Sequence, residues 1–162
     1  MADADPSQPS VFEKIVAGQI PCHRLYEDDH TLAFLDIEPV AHGHCLLIPK
    51  RRFDQLDQVP PEIAAALGAA LPRLVAAVKG ATGCAGVNVL QNNGEAAGQA
   101  VMHVHFHIIP RTGPAAADPN FEDAAPEDES MRPEFSFDWP AGKLEDQAAR
   151  DLVAAIRSRL KG

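Results

Sequence analysis

The sequence predicts an α+β domain built on an antiparallel sheet of about five strands. Three observations predict it. Short apolar runs at 24–26, 31–37 and 43–48 are parted by polar or Pro/Gly-bearing connections, the pattern of neighbouring strands joined by turns. From Pro60 the apolar period lengthens to three or four residues, the signature of a helix lying on a core. Strand-like runs then return at 86–91 and 100–109.

Ahead of the first strand, Ser10-Val11-Phe12-Glu13 reads as a capping box, with Phe12, Ile15 and Val16 on the apolar side of a short helix closed by Gly18 and Pro21. The close spacing of the next three runs favours an antiparallel meander. In the long helix over 60–79, Ile63, Leu67, Leu71, Leu74 and Val78 share one face, Pro60 and Pro61 suit the first turn and Gly80 the end. Pro72 removes an internal hydrogen bond and is expected to kink or split that helix. The last two runs are joined by residues 92–99, short enough to make them a hairpin. Between Asp118 and Asp138 stand eight acidic residues against the single base Arg132, the composition of an exposed arm. A last helix is expected over 143–160, with Leu144, Ala148, Leu152, Ile156 and Leu160 forming an apolar stripe. The expected organisation is therefore a disordered start (1–9), one domain (10–113), an acidic linker or arm (114–142) that includes Trp139, and an amphipathic C-terminal helix (143–162).

With 162 residues, 46% hydrophobic and 23% charged, the chain has the size and composition of one domain with a real core. Its net charge of −9 opposes steered binding to long nucleic acid or to anionic lipid. No apolar run approaches the length of a membrane span, and the acidic N-terminus lacks the apolar stretch of a leader. Cys22, Cys45 and Cys84 are odd in number and show no C-x-x-C spacing, so a reducing, cytoplasmic setting is expected. Cys45 and Cys84 read as small buried hydrophobes, and His23, His30 and His42 as surface or loop residues.

The chemistry is concentrated in Met102-His-Val-His-Phe-His-Ile-Ile109. On a strand, residues two apart share a face, so His103, His105 and His107 line up while Val104, Phe106 and Ile108 face the other way. A cluster of imidazoles carries donors and acceptors that each need a partner, which argues for chemistry rather than packing. Two functions suit it: one imidazole acts as a nucleophile with its tautomer fixed by its neighbours, or the row supplies part of a metal site. The adjacent loop bears on the choice. Gly94 and Gly98 permit positive φ, and Asn92 and Gln99 bring amides, a composition suited to holding phosphate oxygens.

The segment His103-Val-His105-Phe-His107-Ile-Ile resembles the H-φ-H-φ-H-φ-φ signature (φ apolar) of the histidine-triad (HIT) nucleotide-binding and hydrolase family. The resemblance continues through Gln91-Asn-Asn-Gly-Glu-Ala-Ala-Gly-Gln99, Ala41-His-Gly-His-Cys-Leu-Leu-Ile-Pro-Lys50, Ala33-Phe-Leu-Asp-Ile37 and Val11-Phe-Glu-Lys-Ile-Val-Ala-Gly-Gln-Ile-Pro21, covering roughly residues 10 to 111. It implies a HIT-like fold with a C-terminal extension, and a homodimer in which two sheets join. It also implies a hydrolase that cleaves a purine nucleoside 5′-phosphoramidate or a dinucleoside polyphosphate at the α-phosphate through a nucleotidyl-histidine, releasing a nucleoside monophosphate. By position, His105 matches the nucleophile, His103 and His107 the flanking members, and His44 a supporting histidine. Asp36 matches the carboxylate that holds the ribose, Val11, Phe12, Ile15 and Ile37 the slot around the base, and Asn92 and Gln99 positions contacting phosphate or the departing group. No cofactor or metal is implied: where some members hold a structural zinc, this chain has Ser10, Glu13 and Arg52. Ala100 stands where some members carry a hydroxyl able to protonate the leaving group. A non-catalytic nucleotide-binding or scaffold protein and a His-ligated metalloenzyme are the rival readings.

Overall fold

The computed structural model describes residues 8–112 and 145–161; the expected acidic arm, Trp139, Leu144 and the first seven residues lie outside them. The capping box is present. Ser10 Oγ accepts from the Glu13 amide at 3.1 Å while the Glu13 carboxylate accepts from the Ser10 amide at 2.8 Å, starting helix α1 (Val11–Val16). Strands β1 (Arg24–Glu27), β2 (Thr31–Leu35) and β3 (Cys45–Pro49) follow as an antiparallel meander. Helix α2 (Pro61–Thr82), strands β4 (Gly86–Leu90) and β5 (Phe106–Arg111) and helix α3 (Asp146–Leu160) complete the chain.

The sheet has five antiparallel strands, as expected, but its order is β1-β2-β3-β5-β4. The meander is thus interrupted: β5 seats itself beside β3, with Leu47 opposite Phe106 and Leu46 opposite His107, and β4 takes the outer edge. Alternation along the strands then sorts two cores. Ala33, Leu35, Cys45, Leu47 and Ile108 pack under α2 and α3, whereas Leu32, Phe34, Leu46 and Ile48 pack against Phe12 and Ile15 of α1.

Helix α2 departs from expectation in three ways. It runs unbroken through Pro72; both Pro72 and Gly68, whose carbonyl loses its partner, are exposed, so the freed group lies on the solvent face of the helix. It ends at Gly83, which takes φ 67° and caps the helix by donating to the Lys79 carbonyl, and not at Gly80. Gly80 instead admits α3, since a Cβ there would lie 2.7 Å from Arg159 Nε. The helix is also long and apolar enough, at mean hydropathy 1.5, to cross a bilayer, contrary to the reading from apolar runs. Its Leu67, Ala70, Leu74, Ala77 and Val78 are nonetheless buried in the core beneath the sheet. Helix α3 starts at Asp146 and buries Ala149, Leu152, Ile156 and Leu160 in that same core, with Arg73 donating to the Leu160 carbonyl at 2.9 Å. The apolar stripe of the C-terminal helix therefore docks on its own chain. Cys45 and Cys84 are buried free thiols; burial pushes Cys45 up to about 12.

Candidate active site

The histidines gather on the α1 face of the sheet, but only His107 stands in regular strand. The ladder of β5 begins at Phe106, so residues 100–105 are not the strand that their alternation suggests. There the backbone is held instead by the Val104 amide donating to the Phe53 carbonyl at 2.7 Å and by the His103 amide donating to the Val101 carbonyl at 2.8 Å. The imidazoles still line up. The rings of His105 and His107 are 4.9 Å apart, and the Phe12 ring lies edge-on to His103 and His105 at 5.6 and 5.3 Å. Phe106 and Ile108 face the opposite core.

Partners that can only accept or only donate assign the ring protons. His105 Nδ1 is 2.7 Å from the His103 carbonyl, so Nδ1 carries the proton and Nε2 keeps a lone pair. His103 Nε2 is 2.8 Å from the Pro49 carbonyl, so its Nδ1 is an acceptor. The Val40 amide points its proton at His44 Nδ1 at 3.3 Å, which puts the His44 proton on Nε2. That proton is donated to His107 Nδ1 at 2.9 Å, leaving the His107 proton on Nε2. His44, only 2% exposed, thus supports the row by setting one tautomer.

Burial holds these rings neutral. Desolvation lowers His105 and His103 below the ordinary imidazole value. It takes His107 to about 4, with the neighbouring His105 adding to the effect, and His44 to about 3, with His107 the next cause. The same desolvation raises Asp36 to about 6. Asp36 closes β2, its Oδ1 accepting from the Glu38 amide at 3.0 Å and its Oδ2 lying 3.5 Å from His44 Nδ1.

Asp36, His44 and His107 each place a possible ligand atom within 4.8 Å of the others. However, Asp36 approaches Nδ1 of His44 while His107 approaches Nε2. As a hydrogen-bonded pair, His44 and His107 share the Nε2 proton of His44 at 2.9 Å, while the three residues together have the spacing of a metal-binding group.

The remaining expected residues divide. Phe12 and Ile15 are buried, Val11 is partly exposed and Ile37 is 92% exposed, so the last two offer apolar surface and the first two form its floor. Gly94 and Gly98 take φ 88° and 80°, as the loop reading requires. Asn92 is buried and donates to the Gly98 carbonyl at 3.2 Å. Gln99 is fully engaged inside the loop: its Oε1 accepts from the Gly94 amide at 2.7 Å, and its Nε2 donates to the Asp54 and Val101 carbonyls at 2.7 and 2.9 Å. Its side chain braces the loop beside the histidines. Two features escaped the sequence reading. The Pro49 carbonyl has no side-chain signature. The Ser10 hydroxyl reaches His103 Nδ1 at 2.9 Å, and its only signal was that a capping hydroxyl accepts a bond and keeps its own proton to give.

Comparison with known proteins agrees with this geometry. The chain is 48% identical over 101 residues to adenylylsulfatase HINT3 of Arabidopsis thaliana, a match covering 62% of this chain and 51% of that relative, so it spans about half the plant protein's length. It is 39% identical over 151 residues to adenosine 5′-monophosphoramidase hnt1 of Schizosaccharomyces pombe, covering 93% of this chain and 98% of the yeast one. Among solved structures, a Hit-like protein involved in cell-cycle regulation from Bartonella henselae superposes with a TM-score of 0.73 at 29% identity, over 97% of this chain and 99% of that one. Residues 17–113 match the family described as the HIT domain, and with its histidine row, loop and sheet in place the chain belongs to that family.

Proposed function

We propose that the protein is a nucleotide hydrolase that attacks the α-phosphorus of a purine nucleoside 5′-phosphoramidate or related adenylylated compound and releases a nucleoside monophosphate. One observation carries the reading: His105 is a neutral imidazole whose Nδ1 proton is pinned to the His103 carbonyl, leaving Nε2 free to attack. In the first step Nε2 bonds to phosphorus, the leaving group departs with the electron pair of its bond and takes up a proton, and a nucleotidyl-His105 remains. Water then displaces His105 and restores its lone pair. The His107 Nε2 proton, set by His44, serves a phosphoryl oxygen or the departing atom, a role that gains weight because Ala100 offers no hydroxyl. Asp36 holds the ribose hydroxyls, and Ile37, Val11 and Phe12 flank the base. The names of the yeast and plant relatives support phosphoramidate or adenylyl sulfate over dinucleoside polyphosphate as substrate.

Product analysis tests this. Adenosine phosphoramidate, diadenosine triphosphate and diadenosine tetraphosphate are incubated with the full chain, with and without chelator. Chelator-resistant AMP release from the phosphoramidate is expected. No release from any of them returns the protein to the nucleotide-binding class, and loss in chelator favours the metalloenzyme.

The Asp36 carboxylate gives a pH signature. It binds ribose as an acceptor when ionised, and its value is raised to about 6, so protonation removes the acceptor as pH falls through 6. KM is expected to rise below pH 6, and Asp36→Asn is expected to raise KM about tenfold at pH 7.5 and to abolish that rise. Steady-state kinetics between pH 5 and 8 check both.

A second copy of the chain completes the proposal. β4 occupies the outer edge of the sheet with Val89 44% exposed, and such an edge pairs readily with another. Sedimentation of the full chain at twice its monomer mass is the expected result.

A further inference from the structure

Ser10 joins two parts of the molecule that the sequence keeps 93 residues apart. A hydroxyl has one proton and two lone pairs. The helix cap uses a lone pair, which accepts from the Glu13 amide at 3.1 Å. The proton remains, and 2.9 Å from Ser10 Oγ stands His103 Nδ1. Because the Pro49 carbonyl at 2.8 Å claims the Nε2 proton of that ring, Nδ1 is a bare acceptor and Ser10 must donate to it. His103 is fully buried and pinned at both nitrogens.

That pinning matters because of what the His103 backbone does. Its carbonyl is the acceptor that fixes the His105 tautomer, yet it lies ahead of the ladder of β5, which starts at Phe106. The His103 side chain therefore joins the Val104 amide, which donates to the Phe53 carbonyl at 2.7 Å, in anchoring a peptide that the sheet does not hold. Phe12, two residues beyond Ser10, lies against both rings, so α1 carries the wall of the base slot and the anchor of the nucleophile together.

We propose that Ser10 is a positioning residue for the reaction: its hydroxyl proton, given to His103 Nδ1, holds the His103 carbonyl where it fixes the attacking form of His105. This rests on the hydrolase reading above.

Three substitutions separate this role from helix capping. Aspartate caps a helix as well as serine does but, ionised, has no proton to give; threonine both caps and donates. Ser10→Ala and Ser10→Asp are each expected to lower kcat for adenosine phosphoramidate about tenfold with KM changed by less than about twofold, while Ser10→Thr retains most of the rate. Thermal melting shows whether the cap survives in each variant. Nitrogen-15 NMR of the imidazoles reads the link without substrate. In the wild type the His105 proton resides on Nδ1, and in Ser10→Asp the proton is expected to be shared between the two nitrogens, with His103 Nδ1 shifted. A Ser10→Asp enzyme with wild-type kcat and an unchanged His105 spectrum overturns the proposal, as does a Ser10→Thr enzyme as slow as Ser10→Ala. If the wild type hydrolyses nothing, the hydrolase reading fails while the NMR comparison still decides whether Ser10 sets the His105 tautomer.

Discussion

Replacing His105 by alanine is expected to lower AMP release from adenosine phosphoramidate by at least about a thousandfold while changing AMP affinity by less than about threefold. The two effects separate because His105 is the residue proposed to bond to phosphorus, whereas the surfaces proposed to hold the nucleotide belong to other residues. Phe12 packs on Phe34 as well as on His105, so the floor of the slot keeps a partner when the imidazole is gone. Asp36 takes its backbone bond from Glu38 and is untouched. Chromatographic product analysis and calorimetric titration with AMP check the pair. An alanine enzyme that retains a tenth of the rate removes the covalent step from the account.

The second large effect is expected at His44. In His44→Leu, His107 loses the donor to its Nδ1, and with it a contact that sets its tautomer. Turnover is expected to fall about a hundredfold or more, within the range that a positioned proton donor contributes. Stability carries an independent sign. An unfolded histidine binds its proton near pH 6.5, but folded His44 does so only near 3 and His107 near 4. Between those values the unfolded chain binds more protons, so native stability falls as pH drops from 6.5 towards 3. Asp36 opposes this over a narrower window: its folded value of about 6 lies above the unfolded one, so its contribution is greatest at low pH and is lost as pH rises through 6. Removing His44 deletes the largest acid-labile group. His44→Leu is expected to be about 1–3 kcal/mol less stable at pH 8, where the Val40 amide has lost its acceptor. The difference between its melting temperatures at pH 8 and pH 5 is expected to be smaller than in the wild type.

Much of this site was legible in the residues, and the parts that were not share a cause. Ser10 and Glu13 announce the start of α1 because a capping box is local. The first three strands and their order were readable because each apolar run is close in sequence to the next. His-Val-His-Phe-His told which way side chains point, but alternation records faces and not backbone hydrogen bonds, so it placed the strand too early. The chain leaves the ladder before Phe106 because Val104 bonds to Phe53 and His103 to Pro49, contacts with a segment some fifty residues away. Gly80 suits the end of α2 by residue type, yet the helix runs on to Gly83, and Arg159 of α3 lies over Gly80. Gln99 suited a phosphate contact by composition, yet the fold gives its amide three partners within the protein. A partner distant in sequence takes part in each of these cases, Asp54 in that of Gln99, and no short window of sequence contains it.

In the proposed mechanism His105 displaces the leaving group and water then displaces His105. Two in-line displacements restore the configuration at phosphorus, whereas one inverts it. The direct measurement is the stereochemical course of hydrolysis for an adenosine phosphoramidate made chiral at the α-phosphorus with sulfur and oxygen-18. The account predicts retention of configuration; inversion would contradict it, because water would then have attacked the substrate without a nucleotidyl-His105 in between.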